Sequence, residues 1–508
     1  IAQAIVAPGF PKGLDFICSI YTDIPYYKDE GTRWKNPGVS DTQFWIYNAT
    51  DSIACQEALP VLEKDIARLG NKAIYRSQVD IIQPLLYMQE KGIRVDVEKM
   101  KKAYVEAEHE EKVLTEELQQ ICGYSINPRS PVQLKEYFYI KKGFHPYLKK
   151  SKGSTGSISV DDTAMKRLIR KGSKEAALVL KIRHLSKMKG TYFDTSKVDE
   201  DGRLRCSFNP VGTVSGRISS SATIFGSGGN LQNQPPEMDK LMIADEGCVY
   251  YDIDLEQAEN RIVAYISPEP TMIKAFEDGV DVHSRTASLI SNLSLEEVIR
   301  QHKEKVTCSL GDGTKSWRFW GKKANHGFNY GCGYRKFSLI NELPESEGKF
   351  IYERYFNIYP GVRHYHAWVK HQLSLNRTIT NCYGRKRVFF DRWGDDLFNK
   401  AFDFIPQSTI ADKINSEGLN YIYYNRDLFR DVQLVNQKHD SIIIQIPISV
   451  GWNKHVEYIK LIKESLERPV RWKGIQFVIP VKIKMGKNLN EMLTVKEAFN
   501  LEELYNLL

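Results

Sequence analysis

Three stretches carry side chains whose types and spacing suit chemistry on a charged substrate. Between Tyr250 and Leu255, Tyr251, Ile253 and Leu255 alternate with Tyr250, Asp252 and Asp254, so the two carboxylates share one face of a strand. From Glu256 the pattern turns helical through Ala258, Ile262, Val263 and Ile266, which puts Asp254 at a strand end beside a helix start. A carboxylate there is well placed to hold a divalent cation, although acidic strand ends are usually just solvated. Lys438-His439-Asp440-Ser441 lies between the strand-like runs VQLVNQ and IIIQIP, a hairpin with a carboxylate at its tip. Arg318, Lys322, His326 and Tyr330 recur every fourth residue and form one helical stripe. Two acids for metals and a cationic stripe ending in rings suit a triphosphate and its base. A metal pair that holds both the attacking and the leaving oxygen is a standard route for phosphoryl transfer.

In this order and spacing the stretches resemble the motifs of family A DNA polymerases, the group of bacterial DNA polymerase I and many phage replicases. DLEQAENR, from Asp254 to Arg261, is similar to motif A, usually DYSQIELR. The stripe, with Gly331, resembles motif B, R-x-x-x-K-x-x-x-[FY]-G-x-x-YG, and KHDS resembles motif C, usually VHDE. The resemblance implies an α+β right-hand polymerase: an antiparallel palm sheet, helical fingers and a helical thumb, behind a remnant of a 3′–5′ exonuclease domain. Its implied boundaries are 1–72 for the remnant, 73–205 for the thumb, 206–280 and 399–508 for the palm, and 281–398 for the fingers. It also implies primer extension with dNTPs, in which Asp254, Asp440 and the Leu255 carbonyl would bind two Mg²⁺, with Mn²⁺ able to substitute. Arg318 and Lys322 would meet the triphosphate, as would His283 of DVH, which is similar to the family's DIH. Glu259 would be the steric gate against a ribose 2′-hydroxyl, with Gln257 beside it, and His326 and Tyr330 would face sugar and base.

The same resemblance supplies DNA contacts. The segment from Ile126 to Leu134 is similar to the thumb element IN-x-x-SP-x-QL, and Arg183 to Tyr192 to R-x-L-[ST]-K-x-K-x-TY, whose Lys187 and Lys189 would touch duplex phosphates. Taken singly, either lysine reads as part of a solvated face. Arg217 in TVSGRISS, Asn230 and Gln232 in NLQNQP, Gln407 in QSTIAD and His439 would meet primer and template. Every base pair presents a minor-groove acceptor, so such contacts test pair geometry and not sequence. GRKR, from Gly384 to Arg387, resembles the end of the fingers, and Pro480 to Gly486 the last palm strand.

A chain of 508 residues can hold several domains, and a net charge of +8 permits nucleic-acid binding without proving it. Eight scattered cysteines without a C-x-x-C pair read as a reduced, cytoplasmic-type protein without structural zinc, in the host cell if the source is a phage. No apolar run is long enough for a membrane span. The first residue is Ile1, which reads as a processed or partial product. Pro8, Gly9, Pro11, Gly13, Pro25, Gly31, Pro37 and Gly38 mark the first forty residues as loop, ahead of a helix from Tyr47 to Leu69. Tyr47-x-x-x-Asp51 resembles the third exonuclease motif, in which the acid ligates a metal and the tyrosine orients water. The remaining acids would lie upstream of Ile1, so proofreading by this chain alone is not expected. A separate exonuclease portion or phage replication proteins are the further partners this implies. The Lys- and Gly-rich stretch from Lys141 to Gly156 reads as a mobile tip.

Three positions depart from the family pattern. His326 replaces an aromatic ring, Leu255 a tyrosine and Ser441 an acid. Imidazole titrates near neutrality, so His326 is expected to alter dideoxynucleotide discrimination and add a pH dependence. A His326→Phe enzyme unchanged in both would refute this. Two rival readings remain: a catalytically silent primer–template binding protein, and a 3′–5′ exonuclease subunit.

Overall fold

The computed structural model describes residues 1–29, 40–149, 156–496 and 500–508. Gly31, Pro37 and Gly38 of the expected N-terminal loop, and residues 150–155 of the expected tip, lie outside that set. The alternating run forms strand Cys248–Leu255 (β1), and the hairpin forms Gln433–Lys438 (β2) and Ser441–Pro447 (β3). Val481–Gly486 (β4) and Met492–Thr494 (β5) complete an antiparallel sheet ordered β2-β3-β1-β4-β5. Register pairs Ser441 with Asp254 on one side of β1 and Lys482 with Asp254 on the other. Ile442, Ile443, Ile444 and Ile446 are all buried, because helices and loops cover both faces of the sheet there. That explains a nearly unbroken apolar run in place of alternation. Each such side chain adds roughly 1.5–3 kcal/mol of hydrophobic stabilisation.

The first forty residues are not all loop. Ala2–Val6 and Leu14–Tyr21 are helical, with the glycines and prolines confined to the links between them. They pack on helix Asp41–Leu69 (α1) in a small core of Ala2, Ile5, Ala58, Leu62 and Ile66 that Ile74 and Tyr383 complete. Ser40 caps α1, accepting from the Gln43 N–H. Next come Val97–Cys122 (α2), broken from the preceding helix at Gly92 as expected, then Asp162–Arg170 (α3) and Lys174–Lys187 (α4). They surround a core that includes Leu118, Tyr137, Phe138, Met165 and Ile182.

Helix Ala258–Ile266 (α5) leaves β1 and belongs to two cores at once. Ile262 faces the sheet, and Val263 faces a core that continues to Val362. That core gathers Val282–Ser291 (α6), Trp317–Asn329 (α7) and Tyr334–Asn341 (α8). The strands Thr378–Thr380 and Lys386–Val388 pack instead with the sheet, through Ile379 and Phe389. Helix Phe404–Lys413 (α9) also lies against the sheet core. A Cβ at Gly321 would sit 2.3 Å from the His283 carbonyl, so α6 and α7 meet at a separation only glycine permits.

Two histidines are locked into these contacts as neutral rings. His366 stacks on Phe402 at 3.9 Å and donates from Nε2 to the Asn329 carbonyl (2.8 Å). Burial pushes His366 and His283 each down to about 4. An unfolded histidine takes up a proton near pH 6.5, so these sites stabilise the fold fully above that pH. They lose their contribution as pH falls toward 4. His366→Gln is expected to flatten the melting-temperature slope over that window by about one proton's worth relative to the parent. Parallel slopes would show that the ring is not neutral in the folded state.

Candidate active site

The two acids singled out in the sequence meet at the sheet. The Leu255 N–H donates to the Asp440 carbonyl (3.1 Å), tying the hairpin tip to the end of β1. Asp254 is pushed up to about 7, first by burial and then by the charges of Asp440 and Asp252. Asp440 is raised by burial, with Glu259 adding to it and Arg217 opposing. Asp252 pairs with Lys484 of the neighbouring strand β4 at 3.7 Å, while its buried Oδ1 has no hydrogen-bond partner. Crowded carboxylates that resist ionisation are the electrostatic setting a divalent cation relieves. An all-oxygen donor set suits Mg²⁺ or Mn²⁺. Among the described residues no three His, Cys, Asp or Glu groups converge on one metal position, so water, main chain or substrate must complete the coordination.

The turn from strand to helix is sharp. Gln257 adopts φ 50°, a left-handed conformation that costs a non-glycine residue of order 1 kcal/mol, and its Oε1 is buried without a partner. His439 holds the hairpin tip with φ 57° and is exposed. Glu259, in the first turn of α5, is held from both sides. Arg217 pairs with Oε1, and the buried Tyr330 hydroxyl donates to Oε2 at 2.6 Å. A side chain at Gly331 would clash with Phe402 at 2.6 Å, and φ there is 76°, so this glycine lets the end of α7 approach helix Asp395–Phe402.

The stripe forms as spaced. Arg318, Lys322 and His326 line one face of α7, while Trp320, Ala324 and Phe328 bury the other. Ser316 caps the helix, accepting from the Phe319 N–H at 3.3 Å. Lys322 is exposed and makes no salt bridge among the described residues. Arg318 is committed to Asp281 through Nε (2.8 Å) and Nη2 (3.2 Å), a fork the sequence did not reveal. Asp281 also caps α6, accepting from the Ser284 N–H at 2.9 Å. His283 is buried, 3.0 Å from Asn325 and with its ring 5.6 Å from that of His326. His326 is exposed on α7, where surrounding protein still lowers its basicity, opposed by Glu259 and reinforced by Lys322.

The remaining residues are less uniform. Gln407 lies 3.5 Å from Asp403, an acid pushed up to about 6 by burial, which Glu259 reinforces. Asn230 is exposed and accepts from Ser220 at 2.9 Å. Gln232, expected at the DNA surface, is buried under the hairpin instead. It donates to Gln437 (2.8 Å), which donates to the His439 carbonyl (2.5 Å). Space beneath a turn favours a buried amide that can satisfy its main-chain groups. Lys187 is exposed, whereas Lys189 is engaged by Glu108 (3.2 Å) and Glu111 (2.9 Å). Tyr47 and Asp51 lie apart, on α1. Lys28 sits 2.5 Å from Asp51 and donates to the Tyr47 hydroxyl (3.0 Å), and Tyr27 also donates to Asp51. An ammonium group therefore balances the charge of that acid.

All eight cysteines are free thiols. No helix among the described residues is long and apolar enough to cross a membrane. The structure is similar to the POL domain of Pol1 from M. smegmatis, solved in complex with DNA primer-template and dNTP. The TM-score is 0.79 at 22% identity, over 96% of this chain and 81% of that one, so the polymerase fold is shared. The thermostable DNA polymerase I of Thermus thermophilus is 28% identical over 381 residues, 72% of this chain and 42% of that protein. DNA polymerase I of Aquifex aeolicus (strain VF5) is 26% identical over 489 residues, 91% of this chain and 77% of that protein. The chain spans less than half the length of the Thermus relatives it matches. The model of DNA polymerase family A matches residues 97–491, a span that takes in β1, the stripe of α7 and the hairpin. With the acids, the stripe and the sheet order in place across that span, the chain belongs to DNA polymerase family A.

Proposed function

We propose that the chain is a template-directed DNA polymerase that extends a primer 3′-hydroxyl with dNTPs. The observation that carries this reading is the meeting of Asp254 and Asp440 beside a Glu259 clamped by Arg217 and Tyr330. On this reading the palm is 206–280 with 399–508, the fingers 281–398, the thumb 73–205, and 1–72 an exonuclease-like remnant. Family A polymerases work with divalent cations. Asp254, Asp440 and the Leu255 carbonyl would hold two, Mg²⁺ or Mn²⁺, which when bound lower the pKa of the primer hydroxyl and offset charge on the leaving pyrophosphate.

The chain's own groups do the positioning. Lys322 offers a point charge to the triphosphate. Arg318 offers a fork, once Asp281 shares or releases it. Glu259 has no slack, because both its oxygens are engaged, so it leaves no room for a 2′-hydroxyl while admitting a deoxyribose. Gln257 and His283 back this pocket, and His326 lies against the sugar. Arg217, Asn230, Gln407 and His439 face primer and template, and Lys187 and Lys189 the duplex backbone. Gln232 acts from beneath, holding the hairpin that presents Asp440.

Extension of a labelled primer–template with Mg²⁺ and dNTPs tests the reading. Growth whose order follows the template is expected. Tight primer–template binding without growth would replace it with the silent-binder reading.

A further inference from the structure

Helix α3 carries Arg167 and Arg170 three residues apart, hence on one face. Both reach out of their own core to Glu342, at the end of α8. Arg167 Nε lies 3.6 Å from Glu342 Oε1, and Arg170 pairs with Oε2. Arg170 also lines a cleft of about 200 Å³ with Gly311, Asp312, Lys323 and Glu342. Glu342 caps α8 in a left-handed conformation, φ 55°, where glycine or asparagine is usual. That turn carries a carboxylate whose Oε2 is buried and which faces two guanidinium groups of another helix.

This contact closes a circuit. The body around α3 is rooted in the sheet core through Met100 and Met188. The body around α7 is rooted through α5. Arg167, Arg170 and Glu342 join the two away from the sheet. We propose that these three residues form a latch that shuts the thumb against the fingers and turns the open hand into a ring around duplex primer–template. The proposal rests on the polymerase reading above. The two arginines are partly exposed and their pairs with Glu342 are screened by salt, so the latch opens to admit DNA and closes again after it.

The test uses the full chain and compares release from a primed circular single strand with release from a short linear primer–template. At low salt the parent is expected to leave the circle about fivefold more slowly, the scale of two partly exposed ion pairs. Glu342→Arg erases that difference, and adding Arg167→Glu with Arg170→Glu restores it. Equal release from circle and line by the parent, or a difference that survives Glu342→Arg, would overturn the latch. Addition of one nucleotide to the short substrate needs no ring. It is retained by Glu342→Arg, and its absence from the parent would instead sink the polymerase reading.

Discussion

Asp440→Ala is expected to slow templated extension about a thousandfold or more while primer–template binding persists. The polar groups at such a centre supply several kcal/mol in the transition state, and each 1.36 kcal/mol is tenfold in rate. The fold should not suffer. The bond from the Leu255 N–H runs to the Asp440 main chain, which alanine keeps. The Asp440 carboxyl is raised by burial, so its ionised form opposes folding at any pH well above the usual carboxylate range. At pH 8 without divalent cation, the variant should therefore melt with the parent or slightly above it. Added Mg²⁺ should raise the parent's melting temperature and leave the variant's nearly unmoved. Extension at the parental rate, or a melt far below the parent, would remove Asp440 from the site proposed for it.

The largest effect on stability is expected at Asp412→Ala, at a cost of about 3–5 kcal/mol for stranding a buried charge. Asp412 takes two bonds from Arg385 Nε (3.1 and 3.0 Å), one from Nη2 (2.6 Å) and one from Asn381 (2.7 Å). Arg385 also donates to Gln78 at 2.7 Å, and its guanidinium lies where a Gly216 side chain would be, 2.8 Å away. One ion pair thus joins α9, the turn before Lys386 and the segment that carries Arg217. Replacing both partners by apolar residues, Arg385→Met with Asp412→Leu, should recover part of the loss, since no lone charge is then left buried. Thermal melting of the three proteins decides it. A single variant as stable as the parent would show that the network is dispensable.

The sheet end of the site is legible in the sequence because period and chemistry agree there. Alternation marks β1, a continuous isoleucine run marks β3, and four-residue spacing marks the exposed face of α7. The partners are not legible, because they come from elsewhere in the chain. Nothing in the spacing of Arg318 shows that Asp281 holds it, or that Lys28 answers Asp51. Arg217 and Glu259 are both readable singly, yet their contact is a product of folding. For Gln232 the likeness of NLQNQP to a DNA-contacting element implies a place at the surface, and only the hairpin above it explains its burial. At the N-terminus glycines and prolines outweigh the apolar spacing of Leu14 to Tyr21, although they merely separate two short helices.

The central place of β1 bears on how the protein fails. Its neighbours β3 and β4 bond it along both edges, and the hairpin tip is tied to its end. Amides in such a strand exchange with solvent only when the whole sheet opens. The acids therefore stay assembled through the partial openings that fray chain ends and outer helices. Loss of activity on heating should then coincide with deuterium uptake at Cys248–Leu255, and not with the earlier uptake at the periphery.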